Sequence, residues 1–165
     1  MPEIVRRVPD ALLLVTCTRE YPRALGRYRQ LLETAGISAS VRFLGTVPYE
    51  RLPRLNRAAR LYVEPGWDRA MSLSVKEAMA CGTPVVRGDA GWEEVSDDVE
   101  GYLVRPDDPP AYVDRVVRLL SDNALRARMS RAAASRIVEQ STWDAVADRI
   151  ARHAGSVPAA LKEAV

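Results

Sequence analysis

The chain has little of what most site chemistries need: two cysteines and one histidine in 165 residues. Cys17 and Cys81 form neither a C-x-x-C pair nor a disulfide framework, and the apolar neighbours of both make them buried thiols rather than ligands or nucleophiles. His153 stands alone near the end of the chain with no triad or ligand partner, and so reads as a surface residue. A dominant charge is missing too. Twenty-four basic against twenty-two acidic side chains leave a formal +2, too little to imply nucleic-acid or membrane binding without a clustered patch. The densest basic group, Arg126, Arg128, Arg131 and Arg136, is interleaved with no aromatics and has Asp122 and Glu139 nearby, which reads as a solvated helix face. No apolar run approaches the roughly 20 residues of a membrane span. The start Met1 to Arg7 lacks the apolar core of a signal peptide, so a cytoplasmic location is expected.

What is present suits one globular domain with a single sizeable core, since 47% of the residues are hydrophobic and 28% charged. Strand and helix patterns alternate, which predicts an α/β fold with a parallel sheet covered by helices on both faces. The expected strands are Ala11 to Cys17, Ser40 to Leu44, Arg60 to Val63, Thr83 to Arg87 and Tyr102 to Val104. The run Ala11-Leu12-Leu13-Leu14-Val15 suits a central strand buried on both faces. Helices are expected from Arg23 to Ala35, Tyr49 to Ala59 and roughly Leu73 to Cys81. Beyond Pro109 the pattern is wholly helical: Val113, Val116, Val117, Leu119 and Leu120 recur at helical spacing, followed by Ala124 to Glu139 and Thr142 to His153. Residues 1–10 are read as an N-terminal segment, 11–153 as the domain and 154–165 as a loose tail.

The most informative stretch is Ser72-Leu73-Ser74-Val75-Lys76-Glu77-Ala78-Met79-Ala80-Cys81-Gly82-Thr83-Pro84-Val85-Val86. Ser72 or Ser74 can cap the helix, and Gly82 supplies the backbone conformation that ends it. The first-turn amides of Ser72, Leu73, Ser74 and Val75, with the helix dipole behind them, form a seat for a phosphate or diphosphate. Glu77 lies one turn further in. There it clears the phosphate and is placed to accept hydrogen bonds from sugar hydroxyls, although an ordinary surface glutamate is the plainer alternative. The doublets Asp97-Asp98 and Asp107-Asp108 occupy turn positions that usually cap helices, and no metal site is expected from them. Trp92 falls at the carboxyl edge where doubly wound sheets bind ligands, either as a lid over the core or as a stacking surface.

Leu44-Gly45-Thr46-Val47-Pro48, the segment Glu77 to Val86, Glu100 to Asp108 and Ser141-Thr142-Trp143 follow one another in the order and spacing of a known family. The chain resembles the C-terminal, donor-binding domain of the GT-B retaining glycosyltransferases called group 1, from about Leu12 to about Ala151. The resemblance implies a Rossmann-like domain forming one half of a GT-B fold, with a helical C-terminal extension. It also implies transfer of a sugar from a nucleotide-diphosphate donor with retention of configuration, without a metal or other cofactor. Donor contacts would fall to Glu77 at the ribose, to the amides of Ser72, Leu73, Ser74 and Val75 at the diphosphate, and to the Thr46-Val47 loop at the base, where a plain strand-to-helix turn is the alternative.

Three departures accompany the resemblance. Glu77 matches the second acid of the family's E-x7-E motif, but the first-acid position holds Arg69, with Asp68 one place away and Glu64 five. Ser72 replaces a small glycine. The family's opening strand and helix, which carry an arginine and a lysine for the diphosphate, have no counterpart, and Arg19 is not their equivalent. An N-terminal GT-B domain or partner chain is therefore expected to complete the enzyme. The alternative is a non-catalytic nucleotide-sugar-binding or assembly subunit, since no residue here is a credible nucleophile or general base and activity of the chain by itself is left open.

Overall fold

The computed structural model describes residues 1–16, 22–66, 72–89 and 95–155. The elements run α1 (Pro2–Arg7), β1 (Leu13–Thr16), α2 (Pro22–Thr34), β2 (Val41–Gly45), α3 (Leu52–Ala58), β3 (Tyr62–Glu64), α4 (Leu73–Ala80), β4 (Val85–Gly88), β5 (Gly101–Val104), α5 (Pro109–Ser121), α6 (Asn123–Gln140) and α7 (Trp143–Gly155). All strand pairing among the described residues is parallel, as the alternating pattern requires, but it falls into two sheets, β1-β2 and β3-β4-β5.

The second sheet carries the core. Residues Val85 to Gly88 of β4 are all buried, and Val86, Tyr102 and Val104 pack with Val116, Leu119, Leu125 and Met129 from α5 and α6. On the other face α4 contributes Val75, Ala78 and Met79, the i, i+3 and i+4 positions of one helical stripe, and its Val75 and Met79 pack with Val85, Val95 and Ala133. Each of the valine and methionine side chains contributes about 1.5–3 kcal/mol on full burial. The aromatic ring of Tyr102 lies under the Arg115 guanidinium, 4.4 Å from its centroid.

The expectation of a doubly covered first strand is not met. Exposure alternates along β1, where Leu14 is 37% exposed, and Leu12 just before it is 49% exposed, so one face of the strand is left uncovered. The expected helix from Tyr49 divides into a 3-10 turn, Tyr49–Arg51, and α3. Proline lacks an amide hydrogen and is tolerated only in a first turn, so Pro53 marks a fresh helix start. The N-terminal segment contains a helix that the pattern did not foresee. Ile4 of α1 enters the main core, and Arg7 pairs with Asp114 of α5.

Local caps set the boundaries. The carboxylate of Asp108 accepts from the Ala111 amide at 2.9 Å, and Asp122 accepts from Leu125 at 2.9 Å. Asp108→Ala is expected to lower stability by about 1 kcal/mol, read as a drop of a few degrees in a thermal melt. The first aspartate doublet does not cap a helix: Asp97 accepts from the Leu103 amide, and Asp98, at φ 62, pairs with Arg128. The α6 arginines are likewise not merely a solvated face. Arg126 closes the end of α5 by donating to the Leu119 carbonyl at 2.8 Å, and Arg136 pairs with the buried Glu100.

Candidate functional site

Helix α4 begins where its sequence says it should. Ser72 has an extended backbone and its Oγ accepts from the Val75 amide at 3.3 Å, while the Lys76 amide opens the intrahelical series by donating to the Ser72 carbonyl. The Val75 amide is therefore spent on the cap and its side chain is in the core. Leu73 and Ser74 remain as the first-turn donors that helix geometry leaves outside the ladder. Both residues are exposed. At the other end the Gly82 amide donates to the Met79 carbonyl and the Thr83 amide to that of Ala78, with Gly82 at φ 74, a left-handed closure that suits glycine. Cys81 is the C-cap residue and is only partly buried.

The mouth of α4 faces the carboxyl ends of β3 and β4, where two opposite charges meet. Glu64 closes β3 and is in register with Arg87 on β4. Glu64 Oε1 is 3.4 Å from Arg87 Nε, and Oε2 accepts from the Ser72 hydroxyl at 2.7 Å. The Arg87 side chain is 3% exposed and that of Glu64 27%. Glu64 thus lies between a buried guanidinium and the cap of α4. A Cβ at Gly88 would stand 2.4 Å from the Gly66 carbonyl oxygen, so only glycine lets the turn after β3 cross the end of β4 this closely.

Glu77 is half-buried and its charge reaches the Tyr62 phenol on β3. Burial raises that phenol above its ordinary pKa, the Glu64 charge adds to the rise and Glu77 adds further, while a hydrogen bond with the Ser74 side chain opposes them. Tyr62, Glu64, Ser74 and Glu77 therefore share one neighbourhood. Behind it the Tyr112 hydroxyl donates to the Val86 carbonyl at 2.6 Å, and burial pushes that phenol up as well.

Thr46 is exposed and Val47 half-buried, in the turn that follows Gly45 at φ 66. Helix α3 packs against α4, and just past the end of α4 the Thr83 hydroxyl donates to the Asn56 carbonyl of α3 at 2.8 Å. Arg69, Asp68, Trp92, Cys17 and Arg19 lie outside the described residues. His153 is exposed on α7, its Nδ1 2.8 Å from the Arg149 carbonyl. Among the described residues no three His, Cys, Asp or Glu side chains gather as metal ligands, and no helix is long and apolar enough to cross a membrane. The Glu64–Arg87 pair is the element that sequence reasoning missed. Its one signal is an opposite charge at the end of each of two neighbouring apolar strands.

A profile described as "Glycosyl transferases group 1" matches residues 1–122, which takes in β1 to α5 and both faces of this site. The chain belongs to that family. A D-inositol 3-phosphate glycosyltransferase of Salinispora tropica is 38% identical over 140 residues, covering 82% of this chain and 29% of the relative. A GDP-mannose-dependent monoacylated alpha-(1-6)-phosphatidylinositol monomannoside mannosyltransferase of Corynebacterium glutamicum is 28% identical over 166 residues, covering 96% of this chain and 42% of the relative. The solved sucrose-phosphate synthase of Thermosynechococcus elongatus superposes with a TM-score of 0.79 at 25% identity, over 94% of this chain and 41% of that one. This chain therefore spans less than half the length of these relatives. The likeness extends over both sheets, so the parallel α/β architecture is that of a GT-B glycosyltransferase domain.

Proposed function

We propose that this chain is the donor side of a retaining glycosyltransferase. It binds a nucleotide-diphosphate sugar with the Leu73 and Ser74 amides on the diphosphate, Glu77 on the ribose and the Thr46-Val47 turn toward the base. The observation that carries this reading is the serine-capped mouth of α4 with Glu77 one turn behind it, its charge reaching Tyr62 of β3, in a group 1 chain. Relatives named for glycosyl transfer and for GDP-mannose support it.

The chemistry asked of these residues is electrostatic. Departure of the diphosphate from the anomeric carbon builds negative charge on its oxygens. Amides held at the positive end of α4 stabilise that charge by a few kcal/mol, with no metal or resident cofactor in this reading. The acceptor and the remaining reacting groups come from an N-terminal GT-B domain, in the same polypeptide or a partner chain. A cytoplasmic location goes with two cysteines that form no disulfide framework.

Titration calorimetry with uridine, guanosine and adenosine diphosphates, set against the bare nucleosides, tests the reading. One diphosphate is expected to bind well above its nucleoside. Glu77→Gln should weaken that diphosphate and its nucleoside alike by about tenfold, the worth of a charge-assisted hydrogen bond to the ribose. Absence of binding by all three diphosphates overturns the proposal. Arg69, standing where the family carries an acid, favours a second reading, a non-catalytic nucleotide-sugar-binding subunit. Addition of the N-terminal domain separates the two: sugar transfer supports the enzyme, and binding without transfer supports the subunit.

A further inference from the structure

We infer that Glu64 and Arg87 act as a charge-balanced positioning pair for the mouth of α4. The inference rests on the donor-site reading for its ligand, but its geometry stands apart from it.

A serine hydroxyl has one proton and two lone pairs. To cap α4 it must present a lone pair to the Val75 amide, so its proton must point elsewhere. Glu64 Oε2, 2.7 Å from Ser72 Oγ, accepts the hydrogen bond from that hydroxyl and fixes it in its capping orientation. The position that makes Glu64 a good acceptor makes it a poor neighbour for a diphosphate, because a bare carboxylate beside the helix mouth would repel the ligand. Arg87 answers that conflict. Register places its guanidinium directly alongside, 3.4 Å from Glu64 Oε1 and almost wholly shielded from solvent, where water screens the pair least. The pair therefore supplies an acceptor to the cap while presenting little net charge to the ligand. Leu73 and Ser74, which follow the cap, inherit their direction from it.

Acceptor and charge can be separated by substitution. Glu64→Gln keeps an oxygen for the Ser72 hydroxyl and removes a negative charge from beside the helix mouth. It should tighten binding of the nucleoside diphosphate about tenfold, steepen the salt dependence and leave the bare nucleoside unchanged. Glu64→Leu removes the acceptor together with the charge, so it should bind the diphosphate several-fold more weakly than Glu64→Gln does and lower the hydrogen-exchange protection of the Val75 amide. The exchange measurement uses the full 165-residue chain without ligand, so it reads the cap even where no nucleotide binds. Loss of all nucleotide binding by the unsubstituted chain would sink the donor-site reading and leave the cap coupling to be judged by exchange. Equal effects of both substitutions on diphosphate and nucleoside, or unchanged Val75 protection in Glu64→Leu, would overturn the positioning pair.

Discussion

Gly101→Ala is expected to cost about 3 kcal/mol or more, a large share of the stability of an ordinary domain. A Cβ at this position would lie 2.0 Å from the Val85 carbonyl oxygen and 2.8 Å from the Val85 carbonyl carbon and nitrogen. All three are backbone atoms of β4 and cannot rotate aside. Gly101 is also the residue at which β5 begins its pairing with Val85, and the Asp98 amide donates to its carbonyl at 2.9 Å. Relieving the clash means separating the two strands whose buried faces hold the main core. Urea unfolding measures the loss. Gly26→Ala is the natural control, because it lies in exposed α2 with nothing within 4 Å of the added carbon. It should stabilise by about 0.5–1 kcal/mol through helix propensity. The same chemical change thus carries opposite signs at the two positions, and equal effects would contradict the packing described.

Arg136→Met should be nearly as damaging, at about 3 kcal/mol. Arg136 Nη1 donates to Glu100 Oε1 at 3.2 Å and to Ser96 Oγ at 3.0 Å, and the other Glu100 oxygen accepts from the Ser96 amide at 2.7 Å. The Glu100 side chain is 6% exposed and that of Arg136 19%. Methionine matches much of the arginine stem but leaves a buried carboxylate without its counter-charge. Most of the cost is that stranded charge rather than the net worth of the pair. Adding Glu100→Gln should accordingly recover a substantial part of the lost stability, read from shifts of the urea midpoint. The consequence for the site is mechanical. Arg136 ties α6 to the turn before β5, and α6 backs α4, so a loosened pair slackens the support behind the helix mouth.

Much of the architecture was legible from local signals. Helix α4 was expected from roughly Leu73 to Cys81 and runs from Leu73 to Ala80, because a serine cap and a glycine stop mark its ends chemically. The three helices after Pro109 were legible because their apolar spacing is regular and long. Helix α1 was not. Six residues beginning at a proline carry too little pattern, and only docking against α5 gives Ile4 a reason to be buried. The run Ala11 to Val15 misled for the converse reason. Five apolar residues suit a strand covered on both faces, but how much of β1 is covered depends on what pairs and packs beside it, and Leu12 and Leu14 remain exposed.

The site divides the same way. Glu77 and Ser72 carry a recognisable spacing along one helix, and a helix preserves spacing. Glu64 and Arg87 are far apart in the chain, and only parallel pairing of β3 with β4 makes them neighbours.

By itself, then, the order of amino acids determined the alternation of strand and helix, the capped start and glycine end of α4, and membership of a glycosyltransferase family through motifs in register. These are local properties, set by backbone sterics, hydrogen-bond capping and the period of apolar residues. Tertiary structure alone decided which strands lie side by side, that among the described residues the β1-β2 pair forms a sheet of its own, and that a guanidinium is buried behind the acid holding Ser72. Those outcomes depend on contacts between distant segments, whose free energy is settled only when the whole core closes.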